Sequence, residues 1–216
     1  MELGRLTSLE RLMLNGNQLS GRIPSEFESL TDLDYLDLST NKFGDSIPSI
    51  LGDLLKLYHL NLSNNKLSQA IPLQLGNLVQ LNELDLSHNS LEGSTPSTMR
   101  NMESLVALNL SHNNLSGSIP SSFEEMHGLS YVDISYNHLE GPLPNISAFR
   151  EAPQRKIKRK QRIVWQSWSS ASTLQCTWLK KEPQGHILCS SSICTSICSL
   201  YNFLCNSAKK EEPSRY

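Results

Sequence analysis

Leu33-Asp34-Tyr35-Leu36-Asp37-Leu38-Ser39-Thr40-Asn41-Lys42-Phe43 is the unit that most of this chain repeats. Its skeleton is L-x-x-L-x-L-x-x-N-x-[LF], and Ile47-Pro48 follows it. The Asn recurs as Asn17, Asn41, Asn65, Asn89, Asn113 and Asn137. The Pro recurs as Pro24, Pro48, Pro72, Pro96, Pro120 and Pro144. Both series step by 24 residues without slippage. Self-similarity at a fixed period of this size marks a solenoid, whose turns bury an apolar face only by stacking.

Each position has a physical job. Leu36 and Leu38 alternate as a short strand with one buried face requires. Six such strands form one concave parallel sheet spanning about 25 Å at the usual strand spacing. Asn41 turns the chain out of the strand, and its amide offers donors and an acceptor to backbone groups of its own and the neighbouring turn. Stacked in register, the asparagines form an internal ladder. Leu51, with Phe27, Leu75, Met99 and Phe123 at the equivalent place, packs the opposite, convex side.

Composition divides the chain. Residues 1–151 carry 18 acidic and 8 basic side chains, whereas residues 152–216 carry 3 acidic and 11 basic. All five cysteines, Cys176 to Cys205, lie in the second part. We therefore expect a repeat domain over 1–150 and a basic, then Ser/Cys-rich tail over 151–216. Leu3-Gly4-x-Leu6 matches Leu51-Gly52-x-Leu54, the second half of a repeat, so the domain is expected to begin mid-repeat. Met1-Glu2-Leu3-Gly4 lacks the basic start and apolar run of a secretory signal. No apolar run reaches the 18 residues or so that span a bilayer.

The extended pattern L-x-x-L-x-x-L-x-L-x-x-N-x-L-x-G-x-I-P resembles the plant-specific leucine-rich repeat, found in receptor-like kinases, receptor-like proteins and polygalacturonase-inhibiting proteins. Its marker L-S-G-x-I-P stands at Leu19-Ser20-Gly21-Arg22-Ile23-Pro24 and Leu115-Ser116-Gly117-Ser118-Ile119-Pro120. Asp45 and Gln69 replace the usual Gly, and Thr95 the usual Ile, so distorted turns are expected there. The last repeat, Tyr131 to Pro144 followed by Asn145-Ile146-Ser147-Ala148-Phe149, is similar to the final ectodomain repeat of receptor-like kinases of the male-discoverer-interacting type. The fold class implied is α/β: a right-handed leucine-rich-repeat solenoid of six 24-residue turns with an irregular C-terminal tail.

The tail admits several readings. Arg155-Lys156-Ile157-Lys158-Arg159-Lys160-Gln161-Arg162 is a basic run of the kind used as a nuclear address or nucleic-acid patch. His186, Cys189, Cys194 and Cys198 present ligand types for zinc, but C-x4-C-x3-C lacks the usual knuckle spacing, so no metal or cofactor is assigned. Disulfides would need a secreted chain. A frameshifted translation is the preferred reading. Read one nucleotide forward from Arg159, every Trp becomes Gly, and permitted codons give Gly-Leu-Cys-Gly. That is the cysteine cap which the receptor family carries after its last repeat, and an apolar span of membrane length follows. As written, the tail lacks the apolar area for a fold of its own, and Ile134 and Leu143 are expected to lose protection at an uncapped end.

Function follows the surface. Asp85, Ser87 and His88 fall on strand positions that the other repeats fill similarly, and no phosphate-cradling loop is present, so the chain is read as non-catalytic. A curved parallel sheet offers a wide concave face suited to peptides or proteins. Its outward columns hold Tyr35, His59, Glu83 and Tyr131 in one row and His88, His112 and Tyr136 in another. These seven are the ligand-binding candidates, because aromatic groups supply rigid contact area at low entropic cost. Four N-x-S sequons, Asn61, Asn109, Asn114 and Asn145, are glycosylation candidates for a secreted chain. The resemblance implies a peptide or protein ligand, a co-receptor ectodomain, no nucleic acid, and the extracellular face of the plasma membrane, reached through a full-length parent. The alternatives are a secreted polygalacturonase-inhibitor-like protein and a non-functional truncated gene product.

These assigned faces predict that Leu86→Ala destabilises by roughly 2–5 kcal/mol, as a buried Leu truncation does. Tyr35→Ala, at an outward position, should stay within about 0.5 kcal/mol. Equal shifts of the two urea midpoints would contradict the faces.

Overall fold

A computed structural model of the chain describes residues 6–151 and the two-residue strand Arg162–Ile163. Six short strands form one parallel sheet: β1 (Arg11–Met13), β3 (Tyr35–Asp37), β5 (His59–Asn61), β7 (Glu83–Asp85), β9 (Ala107–Asn109) and β11 (Tyr131–Asp133). Neighbours pair with a shift of one repeat, so Leu12 stands beside Leu36, Leu36 beside Leu60, and Leu60 beside Leu84. The strands centre on a buried Leu, or Val132 in β11, one residue before the outward Asp or Asn that β3 to β11 carry.

After each ladder Asn the chain enters a second parallel sheet that the repeat skeleton did not announce. It contains β2 (Ser20–Gly21), β4 (Lys42–Ser46), β6 (Lys66–Gln69), β8 (Ser90–Gly93), β10 (Asn114–Ser118) and β12 (His138–Gly141). Arg162–Ile163 adds β13 beside β12, in register with Glu140 and Gly141. So Arg162, the last residue of the basic run, and Ile163 after it carry the second sheet one strand further. The remaining tail, with its cysteines, its tryptophans and the zinc, disulfide and frameshift readings, lies outside the described residues.

The recurring prolines then start short 3-10 turns, among them Ser25–Ser29, Ser49–Asp53 and Leu73–Asn77. Their φ of −63°, −65° and −62° is what a helical start needs, and Pro gives up only a donor that such a start leaves unpaired. The turns stack closely on the convex side. A Cβ on Gly52 would run into the backbone carbonyl of Gln74, and one on Gly76 into that of Thr98.

The core is one continuous apolar column. Leu36, Leu38, Leu60, Leu62, Leu84, Leu86, Leu108 and Leu110 from the first sheet meet Phe27, Leu51, Leu75, Met99 and Phe123 from the convex turns, all fully buried. The ladder is present as expected. Asn41 Nδ2 donates to Leu14 O at 2.8 Å and Leu38 O at 3.1 Å, while its Oδ1 accepts from Leu19 N at 3.0 Å. Asn65, Asn89, Asn113 and Asn137 repeat the pattern one turn on each time.

Two expectations are corrected. The turns at Asp45 and Gln69 are not distorted. Both residues take the left-handed φ, 66° and 65°, that Gly21, Gly93 and Gly117 take in the other repeats. Asp45 is held there by its own contacts: its carboxylate accepts from Ser46 N and Gln69 Nε2 and faces Arg22 Nε at 2.6 Å. The second correction concerns the C-terminal end. A single helical turn, α1 (Ser147–Glu151), lays Ala148 and Phe149 over the last repeat against β11. Ile134 is 1% exposed, as buried as Leu86 and Leu110, and only Leu143 remains partly exposed.

Thr95 occupies the buried place that Ile23, Ile47, Ile71 and Ile119 fill elsewhere, and its Oγ1 meets no hydrogen-bond partner. A buried unsatisfied hydroxyl costs about 1–3 kcal/mol. Thr95→Val, which keeps the shape and removes the hydroxyl, should therefore raise the unfolding free energy by that order, read as a higher urea midpoint. An unchanged or lowered midpoint would show that the hydroxyl is satisfied.

Candidate functional site

The concave face is a set of parallel rows, because residues 24 apart stand side by side on neighbouring strands. The middle row is Asp37, Asn61, Asp85, Asn109 and Asp133. Each Oδ1 accepts the backbone N–H two residues on, Ser39, Ser63, Ser87, Ser111 and Ser135, at 2.9–3.2 Å. This Asx turn explains why Asp and Asn fill the row from β3 to β11; in the first repeat Met13 stands in their place. The side chain shapes the strand's exit before it meets any ligand.

The row on the strand's entry side is continuous across four strands. The Arg11 guanidinium lies 5.7 Å from the centre of the Tyr35 ring. Tyr35 and His59 stack at 4.2 Å with 3° between planes. His59 Nδ1 stands 3.0 Å from Glu83 Oε2. Ala107 then interrupts the row, and Tyr131 stands beyond it, 41% exposed. Tyr35 is thus half-buried and stacked, so its truncation costs more than a free surface residue's would; an aromatic pair contributes about 0.5–1.5 kcal/mol beyond its area.

The row on the exit side is a second stack. His88 lies 4.0 Å from His112 at 15°, and His112 lies 4.0 Å from Tyr136 at 25°. Their backbones take φ of 53°, 55° and 56°, shared by Thr40 and Asn64 in the same row. Left-handed backbone at non-glycine residues is uncommon and costs energy. It persists because His88 N and His112 N donate to Ser111 O and Ser135 O of the next repeat, at 3.0 and 2.9 Å. The turn therefore fixes where each ring points.

All seven candidates stand on the concave side, in these two rows, and Arg11 joins them as a residue that pattern reading passed over. The 24-residue spacing placed His88, His112 and Tyr136 in one column; ring contact within that column was not readable from the pattern. The sequons divide. Asn61 and Asn109 are half-buried in Asx turns, and Asn109 Nδ2 also donates to Asp85 Oδ2. Asn114 and Asn145 are exposed. Another surface lay outside the skeleton positions: exposed Leu55, Tyr58, Val79 and Val106 on the flank leading into the strands.

Comparison with known proteins agrees with the repeat. A leucine-rich-repeat family model matches residues 79–139, and a single-repeat leucine-rich-repeat model matches 8–30, 32–54 and 56–78. No curated protein sequence matches. Among solved structures, the ectodomain of the Arabidopsis thaliana receptor kinase GASSHO1/SCHENGEN3 in complex with CASPARIAN STRIP INTEGRITY FACTOR 2 is 39% identical over 66% of this chain, with a TM-score of 0.65. The Arabidopsis receptor kinase HAESA, in complex with the peptide hormone IDA and the co-receptor SERK1, is 39% identical over 66%, with a TM-score of 0.64. The chain spans only 17% and 24% of those two. The Arabidopsis thaliana BIR3–SERK2 complex contains a chain 42% identical over 59% of this one; 68% of that chain is covered, with a TM-score of 0.54. Among the described residues, no helix is long and apolar enough to cross a membrane.

Burial pushes the His112 imidazole below its ordinary 6.5, the neighbouring His88 adds to this, and Asp133 opposes it. The neutral ring is thus favoured in the folded state. The resulting stability is complete above the unfolded value near 6.5 and is lost as pH falls through the lower folded value. NMR titration should place the His112 midpoint below 6.5. His112→Phe, which keeps a stacking ring without a titrating group, should weaken the loss of urea stability between about pH 7.5 and 5. A midpoint above 6.5, or an identical pH slope in the variant, would refute the assignment.

Proposed function

Because the chain belongs to the leucine-rich-repeat family, we propose that it is the ligand-recognition part of a plant receptor-like kinase ectodomain, of the male-discoverer-interacting type. It acts by binding, without catalysis. A peptide or protein ligand lies across the concave sheet, and a co-receptor ectodomain joins it at the cell surface. The likeness to receptor kinase ectodomains supports this reading, at 39% identity. The observation that carries it is the pair of stacked rows, Arg11–Tyr35–His59–Glu83 and His88–His112–Tyr136. Both present rings whose positions are fixed before any ligand arrives, so little rotamer entropy remains to be lost on binding. Tyr131, at the end of the first row, completes the contact set. The glycans of a secreted form belong on the exposed Asn114 and Asn145, with Asn61 and Asn109 the less accessible candidates.

Selection of a random peptide library against the full chain tests this. Selected peptides should lose about tenfold or more in affinity on Tyr35→Ala, His88→Ala or Tyr136→Ala, as central aromatic contacts do. They should be unaffected by Glu92→Ala, on the exposed second sheet. Peptides insensitive to all three concave variants would place recognition elsewhere and sink the reading.

A further inference from the structure

The entry-side row breaks at Ala107, and the break leaves a hollow. Glu83, Leu84, Asp85, Ala107, Asn109 and Tyr131 line a space of about 280 Å³ open to the concave face. Ala107 on β9 fills its rung with one methyl group, while Glu83 and Tyr131 stand on the strands to either side. Those two strands are about 9.6 Å apart, twice the usual strand spacing. The hollow therefore has a carboxylate wall and an aromatic wall facing each other across a gap one side chain wide. The volume suits one long side chain, not a folded partner.

Its chemistry is equally defined. Asp85 uses Oδ1 to accept from Ser87 N and Oδ2 to accept from Asn109 Nδ2. Neither contact adds a positive charge, and each carboxylate oxygen retains a further lone pair. Glu83 is half-exposed, lines the hollow, and uses Oε2 toward His59, which leaves its second carboxylate oxygen without a partner among these contacts. The basic residue of the strand rows, Arg11, is on β1, four strands from β9, and is committed to Tyr35. The hollow is thus anionic, with a flat ring on one side.

We propose that this hollow seats one arginine side chain of an extended peptide lying across the concave sheet. The inference rests on the peptide-recognition reading above and specifies one residue of the ligand. A guanidinium is planar and stacks on an aromatic face, here that of Tyr131. Its forked donors match carboxylates, here Glu83 and Asp85. A lysine ammonium satisfies the charge but neither lies flat on the ring nor forks to two carboxylates, and a neutral isostere satisfies the shape but not the charge.

The test uses the full chain and four synthetic probes: Ac-Gly-Gly-Arg-Gly-Gly-NH2 and its lysine, citrulline and norleucine counterparts. Backbone NMR shifts give both the location and the affinity. The arginine probe should move the amides of Ala107, Leu108, Asn109 and Tyr131, and bind about tenfold more tightly than the citrulline probe. Binding should weaken as salt rises. Glu83→Gln should reduce it, and Ala107→Leu, which fills the hollow from within, should abolish it with the urea midpoint preserved. Should Ala107→Leu unfold the chain, Ala107→Val replaces it. Citrulline binding as well as arginine, shifts elsewhere on the surface, or arginine binding that survives a filled hollow would each overturn the proposal. Failure here, with library peptides still lost on Tyr35→Ala and His88→Ala, would remove the arginine seat alone. Arginine binding in the hollow with no selectable peptide would leave the seat standing and remove the peptide reading.

Discussion

Everything in this solenoid depends on one polar side chain meeting backbone groups in an apolar interior. Leaving a strand toward the convex side strands carbonyls and amides where no water reaches them, and each unpaired group costs a substantial part of a domain's net stability. The ladder Asn resolves this with a single amide. In Asn89, Nδ2 donates to Leu62 O of the preceding repeat and to Leu86 O of its own, and Oδ1 accepts from Leu67 N. No other side chain of this size offers two donors and an acceptor without a charge. The same bonds also fix the register between repeats. A one-residue slip would leave the amide facing groups of the wrong polarity and turn every strand leucine outward.

The register explains why the concave face is a surface of rows. Because neighbouring repeats stand level, a residue's lateral neighbours are those 24 positions away, and side chains on that face interact with copies of their own position. That arrangement favours flat groups that stack and opposite charges that alternate. It penalises like charges placed side by side. The two rows obey this. Arginine, tyrosine, histidine and glutamate follow one another on the entry side, and two histidines and a tyrosine on the exit side. The histidine pair stays compatible with the rule because burial, with His88 beside it, pushes the His112 imidazole below its ordinary value and so favours the uncharged ring.

Much of this was legible in the sequence, for a reason particular to repeats. Leu36, Leu38, Asn41 and Pro48 each recur five or six times in phase, so position and role follow from period alone. The second sheet was not legible. Its strands, such as Lys66–Gln69 and Ser90–Gly93, carry one inward Leu and otherwise small or polar residues. No alternation marks them, and they form because the first sheet has already set the backbones one strand apart. At Asp45 and Gln69 the pattern points to distortion only if the turn requires the Gly that they replace, and it does not. The backbone pairing between repeats imposes the left-handed φ, and Gly only lowers its cost. The C-terminal end was misjudged for a similar reason: five residues, Ser147–Glu151, suffice to cover it when one of them is a Phe.

The candidate site was legible as a set of columns but not as contacts. Periodicity says which residues share a row; it does not say which touch. Contact depends on how far the turn swings each Cα outward, and that is set by the same left-handed backbone at Thr40, Asn64, His88, His112 and Tyr136. The fold dictates the conformation of this row but does not use its side chains, which hold no place in the core. The entry-side row has the same freedom: its strand backbones are hydrogen-bonded into the sheet, yet the side chains range from Arg to Ala. Positions where the backbone is determined and the side chain is not are the ones at which a repeat protein acquires specificity without losing stability. On this chain they are the outward rows of the concave sheet. There a single small residue, Ala107, changes the surface most, because it opens a space that a larger side chain in the same rung would close.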